Sequence, residues 1–245
     1  MAPIDSPLTL SLALLACWAV VGAVGLLRTH SVALVGRVLF PLGAIIGVGL
    51  AIVAALSLTE PVEHATLHIG LPDLPMHVRL DNLSRVFLAL LGSASAGVSL
   101  FAAGYFRKGE GTAPGVLGLQ YHLFLASMGF VLVADDAYAF MVAWETMALT
   151  SYFLVTAQHG IPEIRSAGFL YLLMAHVGAI AILLSFGILQ GGTWLFSFDA
   201  MRESTLSTPW ATAAFLLALF GFETKGGLLT RNVLVLASCQ AIFQT

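Results

Sequence analysis

Long runs without a single Asp, Glu, Lys or Arg set the terms on which this chain can fold. Ser6 to Leu27, Val38 to Thr59 and Val86 to Phe106 are the first three. Gly111 to Ala134 contains a fourth, and Asp136 to Ala157 is a fifth, broken only by Glu145. A sixth lies within Ser166 to Gln190 and a seventh within Trp210 to Leu229. Each is long enough to cross about 30 Å of hydrocarbon at about 1.5 Å per residue. The alternation of a barrel strand is missing, and backbone groups in lipid must pair internally, so the runs predict helices. The fold class is therefore all-α integral membrane, with about seven transmembrane helices. Charged residues make up 9% of the chain and apolar residues 59%, too little charge to clothe a soluble domain. This excludes a soluble enzyme, a disordered chain and a nucleic-acid binder.

The few charges set the orientation. Arg28 and Arg37 bracket the first loop, Arg107 and Lys108 lie in the third, Arg165 in the fifth, and Arg231 follows the last span. The alternate loops hold Arg79 and Arg202, with Arg85 at a helix start. Positive loops face the cytoplasm, which places the N-terminus outside. The longest polar connector, Glu60 to Leu80, clusters His64, His68 and His77 with acids, but its spacing fits no zinc pattern. Its prolines and alternating polar residues predict a short extended hairpin at the membrane surface. The loop from Gly191 to Thr208 mixes Trp194, Phe196 and Phe198 with Asp199 and Arg202, which suits a short interfacial helix. Asp81, Asn82, Asp135 and Asp136 read as helix caps. Gly92 with Ala96, and Ser93 with Gly97, form small-xxx-small pairs for close helix contact. Cys17 and Cys239 sit in apolar runs and read as buried free thiols, so neither an iron–sulfur nor a zinc centre is expected.

Ionisable residues inside spans carry the functional argument. Three stand out: Glu145 in the fifth helix, His176 in the sixth and Lys225 in the seventh, with Glu223 beside it. A charge at the bilayer centre costs on the order of 2.5–3.5 kcal/mol, so such groups face a cavity or a partner. Each also has a plainer reading. Glu145 could be a structural acid, His176 a neutral packing histidine, and Lys225 a side chain snorkelling to the interface. Together they suit a proton relay. Burial disfavours both charged forms while pairing favours them, so a Glu and a Lys on different helices exchange protons when they separate. His176, Tyr152 and Ser151 could pass protons between them. The sequence shows no nucleotide loop, cofactor motif or nucleophile–base pair, so no catalytic residue, cofactor or metal is assigned.

These residues also resemble a known family. Trp144-Glu145-Thr146-Met147-Ala148-Leu149-Thr150-Ser151-Tyr152 is similar to the fifth-helix W-E-x-M-x-L-x-S-Y motif of antiporter-like subunits of respiratory complex I. Gly221-Phe222-Glu223-Thr224-Lys225-Gly226-Gly227 resembles their seventh-helix G-F-x-x-K-x-G motif, and Leu80-Asp81-Asn82-Leu83-Ser84 their third-helix entry. The tract from Phe169 to Gly178 is similar to the membrane-bound hydrogenase branch, which includes hydrogenase-4 component B and the formate hydrogenlyase membrane subunit. The resemblance implies the first part of an inverted-repeat fold of about fourteen helices. It also implies that Glu145 and Lys225 are paired on a proton path, in the bacterial inner membrane beside other subunits of a hydrogenase or complex I-like assembly. On this reading residues 1–80 are lead-in helices with an external loop, and residues 81–229 hold helices three to seven.

Two features depart from the pattern. The family continues after the Lys with Pro-x-His-x-Trp-Leu, whereas Thr230 to Thr245 is an atypical tail, so the chain reads as truncated or frameshifted. Glu223 stands where the family has a small residue. The function expected is proton translocation in a redox-coupled complex. A non-transporting fragment or assembly partner is the main alternative. A retinal protein ranks lower, because the third helix lacks an acid that could serve as counter-ion.

Overall fold

The computed structural model describes residues 6–71, 74–105 and 111–226. The atypical tail, Arg107, Lys108, Arg231 and Cys239 lie outside the described residues. Two compact units divide the chain between His159 and Gly160.

Among the described residues the first unit holds five long helices and a hairpin. Helix α1 spans Pro7–Arg28 and α2 spans Val32–Leu56. Strands β1 (Glu63–Leu71) and β2 (Leu74–Leu80) follow, then α3 (Asn82–Tyr105), α4 (Pro114–Val133) and α5 (Ala137–Val155). The second unit holds α6 (Pro162–Leu189), the short α7 (Phe198–Glu203) and α8 (Thr208–Gly226). Among the described residues six helices, α1 to α6, are long and apolar enough to cross a membrane. Helix α8 is the seventh long helix, with Glu223 and Lys225 in its closing turns. The chain is a multi-pass membrane protein whose helices expose Val20, Ile45, Leu100 and Ile180 outward, an arrangement suited to lipid.

Local chemistry explains the boundaries. Ser6 caps α1 by accepting from the Thr9 backbone N–H, with Pro7 at the first helical position. The second span begins earlier than the charge-free run suggested. Ser31 caps a helix that passes through Arg37, and Val35–Leu39 is wound as a π-helical stretch. The apolar run marked where lipid-compatible residues begin, whereas the cap decides where helix begins.

The first unit's core gathers Leu8, Leu15 and Trp18 of α1, Leu50 of α2, Leu88 of α3, and Leu125 and Val133 of α4. Val78 and Leu80 of β2 enter the same core, so the hairpin is packed onto the helix ends. The expected hairpin is present, antiparallel, with Glu63 opposite Leu80 and His64 opposite Arg79. Gly92 of α3 lies so close to α2 that an added Cβ would stand 2.6 Å from the Ala51 nitrogen. Gly97 has open space around it. Of the two small-residue pairs, Gly92 with Ala96 faces a helix, and Ser93 with Gly97 faces outward.

The cysteine expectation needs correction. Cys17 is exposed on α1, because its position on the helix points away from the core face that holds Leu15 and Trp18.

Candidate proton-transfer site

Helix α5 places Glu145 near its middle, half-buried, on the helix that Asp136 caps by accepting from the Ala139 N–H at 2.6 Å. Thr146 and Thr150 beside it return their hydroxyls to the helix, donating to the Val142 and Thr146 carbonyls at 2.8 Å each.

His176 and Lys225 belong to the second unit. His176 sits mid-way along α6, exposed on its unit, and its Nδ1 donates to the Leu172 carbonyl at 2.9 Å. With the proton on Nδ1, the basic lone pair of the neutral ring is on Nε2. Helices α6 and α8 run antiparallel in close contact. A Cβ at Gly221 would stand 2.7 Å from the Gly178 carbonyl, and Ser185 donates to the Ala214 carbonyl at 2.9 Å. Thr224 also abuts Gly178. Continuing this register puts Lys225 level with Ala175 and His176. The backbone of Lys225 lies within α8, while its side chain falls outside the described part. The fold thus brings His176 and Lys225 to one level of a helix pair, whereas Glu145 stands in the other unit.

Two of the hairpin histidines, His64 and His77, have carboxylate partners. His77 donates its backbone N–H to Asp136, and its Nδ1 lies 3.2 Å from the same carboxylate. His64 Nδ1 is 3.4 Å from Asp135, and Arg79 bridges Asp135 and Asp81, each at 3.4 Å. Asp81 caps α3 by accepting from the Ser84 N–H at 2.8 Å and the Ser84 hydroxyl at 3.0 Å. Burial pushes the Asp81 carboxyl up. Its bonds to Ser84 and the nearby Arg79 outweigh that and hold it below the usual carboxylate range.

The burial of two ionisable residues was not read from the sequence. Arg85 reads as a charge at a helix start, yet it is fully buried. It donates to the carbonyls of Glu60 at 2.7 Å and Pro61 at 2.6 Å and to Asn82 Oδ1 at 2.8 Å. Glu63 Oε1 lies 4.0 Å away, while Glu63 Oε2 accepts from the Leu8 N–H at 3.2 Å. His122 is a further ionisable group inside a span, and it is fully buried in α4. Treating histidine as neutral hid it within an otherwise charge-free run.

Comparison with known proteins bears on these positions. The transmembrane family described as NADH:quinone oxidoreductase/Mrp antiporter matches residues 134–233. Hydrogenase-4 component B of Escherichia coli (strain K12) is 36% identical over 152 residues, 62% of this chain and 22% of that protein. NADH-ubiquinone oxidoreductase chain 5 of Pelomedusa subrufa is 25% identical over 159 residues, 64% of this chain and 26% of that protein. The chain thus spans about a quarter of the length of these relatives. Two solved structures share the fold. A chain of the membrane-bound sulfane sulfur reductase, an archaeal respiratory membrane complex, aligns with TM-score 0.68 and 20% identity over 90% of this chain and 34% of its own. A chain of the Mrp complex from Dietzia sp. DQ12-45-1b aligns with TM-score 0.70 and 22% identity over 87% of this chain and 23% of its own.

Proposed function

We propose that this chain is an antiporter-like membrane subunit of the complex I, hydrogenase and Mrp kind, the reading its similarities support, and that it forms part of a proton path in a redox-coupled membrane complex. One observation carries the reading: the family match over residues 134–233 takes in Glu145, His176 and Lys225 together. The α6–α8 register, which sets Lys225 level with His176, supports a relay between those two residues.

In this mechanism Glu145 and Lys225 are paired while both are charged. Conformational work from a neighbouring subunit separates them. The isolated lysine then gives up its proton, and the isolated glutamate takes one, because neither charge is stable alone in a low-dielectric interior. His176 accepts on Nε2 and releases from Nδ1, so a proton crosses the ring while the imidazole turns over between tautomers. The partners are other membrane subunits, and the setting is the bacterial inner membrane with the N-terminus outside. Residues 1–80 serve as lead-in helices to the repeat that begins at Asp81.

The test is proton pumping by the complete assembly in vesicles, followed with a pH-sensitive dye. Glu145→Gln and Lys225→Met should each abolish pumping while the assembly stays intact. Unchanged pumping in both variants would overturn the relay and favour an assembly partner that carries no protons.

A further inference from the structure

His122 has more acceptors around its ring than a neutral imidazole can serve. Its Nδ1 lies 2.7 Å from the Gly118 carbonyl and its Nε2 3.2 Å from the Leu39 carbonyl. A neutral ring has one N–H donor and one lone pair, and a carbonyl only accepts. One nitrogen of the neutral ring must therefore aim a lone pair at a carbonyl oxygen. Protonation satisfies both contacts. Burial opposes it, because an imidazolium loses hydration there. Neither form is comfortable, which is the condition for a site that binds and releases a proton rather than one fixed in a single state.

The surroundings are built for this ring. A Cβ at Gly43 would stand 2.6 Å from Nε2, and one at Gly22 3.0 Å from the His122 Cβ, so two glycines make the space. Phe40 stacks at 6.1 Å and Tyr121 meets the ring edge-on at 5.2 Å. The Leu39 carbonyl belongs to the last residue of the π-helical stretch, a winding often found at functional positions. The same point at Gly43 lies 3.4 Å from Ser99 Oγ, which is 2.9 Å from the Tyr121 hydroxyl. The elements packed on the ring present Gly22 from α1, Leu39, Phe40 and Gly43 from α2, Ser99 from α3, and Gly118 and Tyr121 from α4. Of these only Tyr121 titrates.

We propose that His122 is a reversible proton-binding site within the helices of the first unit, with the Ser99 and Tyr121 hydroxyls as its exchange partners. The ring gains one proton and one positive charge. Each hydroxyl passes on one proton and regains another, and no electrons move. The site stands independently of Glu145, His176 and Lys225.

The test uses the full chain in lipid nanodiscs, with histidine isotope-labelled at the ring nitrogens, followed by solid-state NMR between about pH 5 and pH 8. One ring should show two N–H signals at the acid end and one N–H with one bare nitrogen at the alkaline end. Those signals should vanish in His122→Gln. Ser99→Ala and Tyr121→Phe should keep the titration and slow exchange of the ring protons with deuterated water. A single neutral tautomer throughout would overturn the proposal. Should His122→Gln fail to fold, ring-nitrogen to carbonyl-carbon distances in the unaltered chain identify the same ring. There, one nitrogen remaining bare across the range overturns the proposal, and two protonated nitrogens at the acid end uphold it.

Discussion

Replacing Arg85 by Met would strip the donors from the carbonyls of Glu60 and Pro61 and leave Glu63 without its buried cation. The expected loss is on the order of 3 kcal/mol, read as a lowered midpoint in thermal unfolding of the detergent-solubilised chain. Arg85→Lys should recover only part of it, because an ammonium lacks the planar fork that spans two carbonyls. Asp81 makes a pH-dependent contribution. Its carboxyl is held below the ordinary value of 3.8, so the stability it supplies is complete above that value and fades as pH falls below it. Asp81→Ala should cost about 1 kcal/mol at neutral pH, with the difference from the parent chain closing in strong acid. The Asp81 and Asp136 caps were legible because an acid just before an apolar run has one common meaning. Arg85 was not. Its burial depends on the loop at Glu60 and Pro61 folding over it, and nothing local to Arg85 encodes that. His122 was legible in principle, as a titratable group in a membrane-length run.

At the scale of elements, glycines decide which helix faces meet. Gly92→Ala should destabilise the α2–α3 pair by about 1–3 kcal/mol through overpacking against Gly47 and Ala51. Gly97→Ala lies in open space and should be neutral or stabilising, by up to about 1 kcal/mol of helix propensity. Fluorescence-detected unfolding of the two variants side by side checks the contrast. The sequence showed two equivalent small-residue pairs, because spacing alone cannot say which side of α3 faces α2. Helix existence was plain from the charge-free runs. The π-helical stretch at Val35–Leu39 was not, since it is a winding of ordinary apolar residues rather than a composition. The hairpin was readable from its prolines and polar alternation, but its seat on Asp135 and Asp136 joins residues far apart in the chain.

For the whole molecule the testable quantity is orientation. In a chain with Cys17 and Cys239 replaced by Ser, a cysteine at Thr66 should react with a membrane-impermeant maleimide added to intact spheroplasts. A cysteine at Gly160 should react only after permeabilisation. The opposite pattern would reverse the proposed N-terminus-outside topology. Both positions are exposed, so poor access would not mask the result. The charges that set this expectation are those left over once the membrane-embedded ones are set aside.

The hairpin's attachments also bear on the order in which the chain can be completed. His77 and the carboxylate it binds at Asp136 are 59 residues apart. Synthesis proceeds from the N-terminus, so β2 is made before the residue that anchors it exists. Through Glu63 and Arg85 the hairpin already touches the starts of α1 and α3, but its hold on α5 closes last. A ribosome paused before Asp136 would therefore present an unlatched hairpin, and arrival of the fifth span would act as the bolt.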